Sequence, residues 1–213
     1  MSEMRTEEEQ IEAIKNWWKE NGKQTIAAVV IVAGGWFGYQ GYESNKQAQG
    51  EAASAVYEQV LELSNSGQES DLAQRELLLN QLKTDFSSTV YAAFAALFKA
   101  KDAMQSNDLE RAASELQFAL DNAPTDAIAH MAKIRLARVY IAQENTEQAL
   151  SLLAVENMGA FEGEYEETKG DALFAQGDVD AARDAYSKAV AANARLGANN
   201  PLVEMKLDDL AAN

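Results

Sequence analysis

Several residue types that commonly build catalytic sites are missing or scarce in this sequence. Among its 213 residues there are no cysteines, one histidine and two prolines. Without cysteine the chain has no disulfide, no thiolate nucleophile and no zinc site with sulfur ligands. The single histidine, His130, supports neither a histidine-based metal site nor a Ser–His–Asp triad, and no glycine-rich phosphate loop with its lysine is present. The sequence therefore predicts a chain that is not an enzyme and uses no cofactor or metal ion.

Basic residues are outnumbered by acidic ones. The chain has 18 lysine and arginine residues against 34 aspartate and glutamate residues, which gives a formal net charge of −16 at pH 7. A negative surplus of this size repels nucleic acids at long range. We therefore expect no nucleic-acid partner.

Few residues in the chain interrupt helices. Pro124 and Pro201 are the only prolines, alanine is abundant, and no stretch alternates β-branched residues with polar ones. From about residue 44 onward the pattern predicts helices almost throughout. The predicted fold class is all-α.

One long stretch of the chain lacks charge altogether. Residues 25–42, 18 in number, contain no charged side chain. As a helix that rises about 1.5 Å per residue, this stretch has a length of roughly 27 Å, close to the hydrocarbon thickness of a bilayer. Tryptophan and tyrosine suit the membrane interface, and they occur before the stretch and towards its far end, as Trp17, Trp18, Trp36, Tyr39 and Tyr42. The pattern predicts a single transmembrane helix over residues 24–43; a buried core helix is the alternative.

Basic residues near this stretch predict its orientation. Four of them precede it, including Arg5 and Lys23, whereas only Lys46 follows closely. Because lysine and arginine resist translocation, residues 1–23 are predicted to form a cytoplasmic tail and residues 44–213 a domain on the other side of the membrane. A cleaved signal peptide is the alternative, although its leader is rich in glutamate.

Two glycines inside the stretch are spaced for close helix packing. Gly34 and Gly38 form a pair of small residues four positions apart, and helices in lipid approach each other closely where side chains are missing. We expect another helix to pack there. A self-assembling envelope protein joined through this pair is one structural hypothesis.

The chain after residue 86 contains an internal repeat. A polar turn, a small alanine and a large apolar residue four positions later recur three times. The alanines are Ala112, Ala149 and Ala182, and the large residues are Leu116, Leu153 and Tyr186. The alanine spacings of 37 and 33 residues bracket the tetratricopeptide period of about 34 residues. The sequence predicts three such helix pairs, a degenerate fourth over residues 50–86, and a C-terminal capping helix over residues 202–210. The apolar side of this last helix is predicted to hold Leu202, Met205 and Leu210.

Individual positions in the repeats agree with this pattern to different degrees. Asp108 and Asp178 stand where helix N-caps belong, and a carboxylate there accepts hydrogen bonds from free amides. Lys99 and Lys169 occupy positions where the repeat expects an apolar residue, and Ala103 replaces an expected tyrosine.

The order of these elements resembles the bacterial YfgM family. The resemblance rests on the acidic tail, the uncleaved anchor, the acidic repeat domain, the pair Trp17 and Trp18, the segment 34–39 and the terminal repeat from residue 169. It implies an all-α protein in which a single N-terminal transmembrane helix is followed by a tetratricopeptide-repeat α-solenoid with a C-terminal capping helix. It also implies a single-pass protein of the bacterial inner membrane whose C-terminal domain is periplasmic. The implied role is non-catalytic: an ancillary subunit of the SecYEG translocon that associates with the periplasmic chaperone PpiD and contacts unfolded or translocating polypeptides.

The tetratricopeptide resemblance further implies which residues face a concave protein-binding groove. Such residues lie on the first helix of each repeat, and methionine and aromatic side chains among them predict an adaptable apolar trough for a peptide or a partner's helix. They are Phe94, Leu97, Lys101 and Met104 in the first repeat, Met131, Ile134, Arg138 and Ile141 in the second, and Glu167, Asp171 and Phe174 in the third.

A function of another class also fits the sequence. In this second hypothesis, the chain is a membrane-anchored regulator that sequesters a cytoplasmic signalling partner through its tail, residues 1–23. Replacement of the tail separates the two hypotheses, because a scaffold keeps its function and a regulator loses it.

Overall fold

The described part of the chain is helical, with short turns between the helices. The computed structural model describes residues 7–66 and 68–211, and these hold nine α-helices and one 3-10 helix. Arg5 and the rest of residues 1–6 of the predicted tail lie outside the described residues. The all-α prediction is confirmed. The helices are α1 (Glu7–Ser66), α2 (Glu69–Asp85), α3 (Val90–Gln105), α4 (Leu109–Asp121), α5 (Asp126–Ala142), α6 (Thr146–Leu153), the 3-10 helix (Gly159–Phe161), α7 (Glu162–Ala175), α8 (Val179–Arg195) and α9 (Pro201–Ala211).

The chain divides into two units, Met1–Gln49 and Gly50–Asn213. In the first unit, α1 exposes large apolar side chains: Val29, Val30, Ile31 and Val32 are 61–73% exposed. Since successive residues on a helix point about 100° apart, four in a row cover its whole circumference. No helix in residues 7–66 and 68–211 combines the length and the apolarity required to cross a membrane.

In the second unit, α3 to α8 form the three predicted helix pairs, α3/α4, α5/α6 and α7/α8. Each of these helices packs against the next along the chain, and α5 also packs against α7. The small residues of the repeat, Ala112, Ala149 and Ala182, are fully buried. The large residues four positions later are also buried, in the same apolar clusters as these alanines. A small residue lets two helices approach closely, and the large one fills the space beside it.

The turns inside the three pairs share one backbone conformation. Asn107, Glu144 and Gly177 have φ values of +58°, +62° and +85°, in the left-handed region, and each directly precedes the N-cap residue of the second helix of its pair. Their spacings are the same 37 and 33 residues as those of the repeat alanines. The predicted caps are confirmed, because Asp108 and Asp178 each accept a hydrogen bond from the backbone amide three residues later.

The degenerate fourth pair consists of the last part of α1 and α2. Ala53 and Val60 of α1 and Leu79 and Leu82 of α2 are fully buried, and they form one cluster with Ala95 of α3. This cluster joins residues 50–85 to the first complete pair.

Helices α7 and α8 approach each other closely at two glycines. A Cβ atom on Gly170 would lie 2.5 Å from the ring of Tyr186, and one on Gly163 would lie 2.1 Å from the side-chain oxygen of Asn193. At Gly163 the Asn193 side chain could move aside, but at Gly170 a Cβ atom would overlap the buried ring of Tyr186. Glycine at position 170 therefore allows the crossing.

Lys99, which replaces an expected apolar residue, is buried in a salt-bridged cluster. Its Nζ lies 3.1 Å from Glu115 and 3.2 Å from Glu76, and it donates a hydrogen bond to Asn80 at 2.6 Å. Lys83 pairs with the other carboxylate oxygen of Glu115. Because these partners come from α2 and α4, the cluster connects three consecutive helices.

The C-terminal helix α9 packs against α8. Val203 and Leu210 are buried in a cluster with Tyr186 and Ala189, and Leu207 is half-buried beside them. Leu202 and Met205, which the sequence assigned to the apolar side of this helix, are 56% and 61% exposed. The buried stripe therefore follows residues 203, 207 and 210, whose spacings of four and three match one face of a helix.

Candidate protein-binding site

An apolar cavity of about 570 Å³ lies mainly between α3 and α5. Its size falls within the range of ligand pockets, which are mostly apolar with a few polar groups. We call it the open cavity. It is lined by Tyr57, Phe94, Leu97, Phe98, Ala100, Lys101, Met104, Leu116, Met131, Arg135, Arg138 and Val139.

Six of the eleven residues predicted to face the groove line the open cavity. All four members predicted in the first repeat are among them, because residues 94, 97, 101 and 104 share one face of α3. Met131 and Arg138 represent the second repeat on α5. These six side chains therefore lie around one cavity.

The other two residues predicted in the second repeat lie elsewhere. Ile134 is 1% exposed and belongs to an apolar cluster with Ala137 and Ala172, and Ile141 is half-buried against the same cluster. Both contribute to the packing of α5 on α6 and α7 rather than to the lining of the open cavity.

The acidic residues predicted in the third repeat are paired with the chain's own C-terminal segment. Lys206 on α9 lies 2.9 Å from a carboxylate oxygen of Glu167 and 2.7 Å from one of Asp171. Asn200 donates a hydrogen bond to the other oxygen of Glu167 at 3.0 Å. Glu167 is 5% exposed as a result, whereas Phe174 remains 52% exposed.

These contacts change the proton affinity of two groups at this end. Burial by itself lowers the pKa of Lys206, but hydrogen bonds and attraction from Asp171 and Glu167 outweigh it, so the pKa of Lys206 is raised. Burial raises the pKa of Tyr186, and its hydrogen bond to Asp171 at 2.8 Å raises it further. Both groups therefore keep their protons more strongly in the folded chain.

Three of the larger residues that line the open cavity, Tyr57, Phe98 and Arg135, are not among those predicted to face the groove. Phe98 and Arg135 stand four positions after Phe94 and Met131, so the helical period alone places them on the same faces. Tyr57 comes from α1, and its ring contacts Phe94 with centroids 5.9 Å apart. No local pattern predicts this contact, because it depends on how the degenerate first pair packs.

His130 forms a structural contact outside the open cavity. Its Nδ1 lies 2.9 Å from the hydroxyl of Tyr165, and its ring stacks on Phe161 with centroids 5.2 Å apart. Burial raises the pKa of Tyr165 to about 12. The histidine thus joins α5 to the start of α7.

Known proteins are similar to this chain over almost its whole length. A family model described as a tetratricopeptide repeat-like domain matches residues 15–212. The chain is 30% identical over 204 residues to the ancillary SecYEG translocon subunit of Haemophilus influenzae, which covers 96% of this chain and 97% of the relative. Proteins of the same name from Aggregatibacter actinomycetemcomitans and Escherichia coli are 32% and 26% identical over 204 and 205 residues, with the same coverage.

These relatives carry the name of a translocon subunit and not of an enzyme, in agreement with the non-catalytic chain predicted from the sequence. The match to the repeat model covers all the helix pairs described above. The chain belongs to the family of ancillary SecYEG translocon subunits with a tetratricopeptide repeat-like domain, and the resemblance to the YfgM family is confirmed.

Proposed function

We propose that the chain is a membrane-tethered, protein-binding subunit that assists the SecYEG translocon. The observation that carries this proposal is the open cavity, whose lining is apolar, adaptable and not filled by the described part of the chain. Methionine and aromatic side chains adjust to different partners, and Met104 and Met131 stand on its two walls. The names of the full-length relatives support the translocon as the place of action.

The proposed partners are the translocon, the chaperone PpiD and polypeptides that emerge from the translocon. The link to PpiD rests on the resemblance to the YfgM family. Tethering to the membrane raises the effective concentration of the cavity near an emerging chain. A modest intrinsic affinity then suffices for repeated short contacts.

We further propose that residues 24–43 hold the chain in the bacterial inner membrane, with residues 1–23 in the cytoplasm and residues 44–213 in the periplasm. The uncharged stretch 25–42 supports this, as do its exposed valines and isoleucines, because a large exposed apolar surface indicates contact with lipid or protein. Glycine and aromatic residues between 34 and 42 reduce the apolarity of the second half, and aromatic rings suit the interface. Apart from the adjacent residues and the nearby backbone of α1 itself, no atom of the described chain lies within 4 Å of a Cβ built on Gly34 or Gly38, which leaves room for a second helix there.

Site-specific crosslinking in intact membranes tests the binding proposal. A photo-reactive amino acid replaces Phe94, Met131 or Arg138 in the full-length chain, and the matched control is Lys188, which is exposed on α8. We expect adducts with SecYEG subunits or their periplasmic chaperones at the first three positions and none at the control. If the three cavity positions capture no such protein, the binding proposal is wrong.

Deletion and labelling test the anchor. We expect deletion of residues 24–43 to release the chain from membranes washed at high pH, whereas deletion of residues 2–21, a segment of equal length, leaves it bound. Because the chain lacks cysteine, single replacements report sidedness cleanly. Ser187→Cys should react with an impermeant maleimide from the periplasmic side, and Glu12→Cys should react only after lysis. The reverse pattern, or a deleted chain that stays in the washed membrane, contradicts the anchor.

A further inference from the structure

The open cavity has a charge opposite to that of the chain. Three of its lining residues, Lys101, Arg135 and Arg138, are basic, and none of its lining residues is acidic. The whole sequence, in contrast, has 34 acidic against 18 basic residues. The basic side chains stand on both walls, with Lys101 on α3 and the two arginines one turn apart on α5.

These three side chains are not neutralised by the part of the chain that the structure describes. Arg138 donates to the hydroxyl of Thr168 at 3.3 Å, and the ammonium of Lys101 lies 5.7 Å from the centroid of the Phe98 ring. None of the three forms a salt bridge within residues 7–66 and 68–211. Their close neighbours behave differently, since Arg75 pairs with Asp102 and Lys99 pairs with Glu115.

We infer that the occupant of the open cavity is a peptide segment in which large apolar side chains stand beside aspartate or glutamate. Phe94, Leu97, Met104 and Met131 take the apolar side chains, and Lys101, Arg135 and Arg138 select the carboxylates. This inference deepens the proposed protein-binding function and depends on it.

Charge complementarity decides between this occupant and a basic one. The net charge of −16 attracts basic peptides to the surface at long range, but at the cavity itself a basic peptide meets three unpaired cations. Opposed charges at the edge of a binding site govern association rate and specificity, and like charges exclude wrong partners. Binding of an acidic peptide should therefore weaken as salt increases, because its attraction to the three cations is screened.

Binding of designed peptides to the full-length chain in detergent tests the inference. Three fluorescent peptides share one pattern of leucine and phenylalanine and differ only in the flanking residues, which are glutamate, glutamine or lysine. Fluorescence anisotropy measures their affinities for the native chain and for the triple variant Lys101→Gln, Arg135→Gln, Arg138→Gln. The matched control, Lys133→Gln, Lys169→Gln, Lys188→Gln, removes the same number of positive charges at positions outside the cavity lining. Circular dichroism confirms that both variants fold.

We expect the glutamate peptide to bind about tenfold more tightly than the glutamine peptide, as three partly exposed ion pairs together allow. The cavity variant should lose this preference, and the control should change the affinity less than about threefold, the scale of one such pair. Equal binding of the glutamate and glutamine peptides, or tighter binding of the lysine peptide, overturns the inference while protein binding stands.

Two further outcomes distinguish a failure of this inference from a failure of the proposed protein-binding function. If no peptide binds but the crosslinkers at Phe94 and Met131 still capture translocon proteins, the chemistry inferred for the occupant is wrong and the function survives. If both experiments fail, both proposals fall. Displacement of the glutamate peptide by phosphatidylglycerol vesicles, but not by phosphatidylcholine vesicles, would identify an anionic lipid as the occupant and overturn the inference.

Discussion

The two ends of the predicted groove differ in charge and in what covers them. Between α3 and α5, Lys101, Arg135 and Arg138 surround a cavity that the described chain leaves open. On α7 the corresponding face has Glu167 and Asp171, and both are paired with Lys206 of α9. Equivalent positions in successive repeats thus line an open apolar cavity at one end and form internal salt bridges at the other.

The difference follows from the position of each pair in the stack. A middle pair is covered on both sides by neighbouring pairs, whereas the last pair needs a terminal element to cover its open side. Here α9 provides that cover, and Lys206 neutralises two acids that its packing buries. In the proposed function, partner binding is therefore assigned to the first two complete pairs.

The largest effect should come from breaking the salt-bridged cluster around Lys99. Glu115→Ala leaves the buried ammonium group of Lys99 and the partly buried one of Lys83 without their shared carboxylate. Removal of one partner from a buried ion pair costs about 3 kcal/mol or more, because a charge remains desolvated. Urea unfolding should show this loss. The control Glu110→Ala, an exposed acid on the same helix, should cost less than about 1 kcal/mol, and equal losses would contradict the assignment.

The second-largest effect should come from removing the charge of Lys206 at the covered end of the groove. Lys206→Met keeps much of the side chain's length but removes its charge, so Glu167 loses an ion pair while it stays buried. We expect a loss of about 1–3 kcal/mol and faster hydrogen exchange confined to α9 and its contacts on α7 and α8. Lys188→Met, at an exposed position of α8, is the control. Unchanged exchange in α9 would mean that apolar contacts alone hold this helix.

Alkaline pH should weaken the covered end. The raised pKa values of Lys206 and Tyr186 mean that the folded chain holds these protons more strongly than the unfolded chain. Their stabilising contribution is therefore complete below the ordinary values of 10.0 for tyrosine and 10.5 for lysine, and it is lost as pH rises above them. The melting temperature should fall as pH rises from ~10 towards ~12.

A phenylalanine variant checks the origin of this pH dependence. Tyr186→Phe should reduce the alkaline decrease in melting temperature, since the titrating group is gone. Tyr140→Phe, at a half-buried tyrosine of α5, should leave the decrease closer to that of the native chain. A decrease of the same size in the native chain and in Tyr186→Phe would assign it to other groups.

The open cavity was more predictable than the covered end because it depends on helical period within two helices. Residues 94, 97, 101 and 104 follow from the spacing on α3 alone, and Arg135 follows from Met131 in the same way. Ile134 shows the limit of this reasoning. One position on a helix corresponds to about 100°, so a residue beside Arg135 points into the core instead.

The pairing of charges could not be predicted, because its partners are distant in sequence. Lys99 was recognisable as a departure from the repeat, but Glu76 and Glu115 lie on other helices, and their approach depends on the packing of α2, α3 and α4. Lys206 and Glu167 are separated by 39 positions. In α9, the prediction that Leu202 and Met205 form the apolar side was wrong, because packing against Tyr186 buries Val203 instead.

The smallest effect should come from the turns, which also differ between the two ends. The turn of α7/α8, at the covered end, has Gly177 at φ +85°, whereas the turn of α5/α6 has Glu144 at φ +62°. A side chain in the left-handed region costs roughly 1 kcal/mol through contact of Cβ with the backbone, and glycine avoids this cost. Because the unfolded chain gains flexibility from glycine, Glu144→Gly should raise the free energy of unfolding by a net ~0.5 kcal/mol. Urea unfolding should show the opposite sign for Gly177→Ala, which introduces the strain that Glu144 already carries. If Glu144→Gly instead destabilises the chain, the glutamate side chain stabilises its turn by more than the left-handed backbone costs.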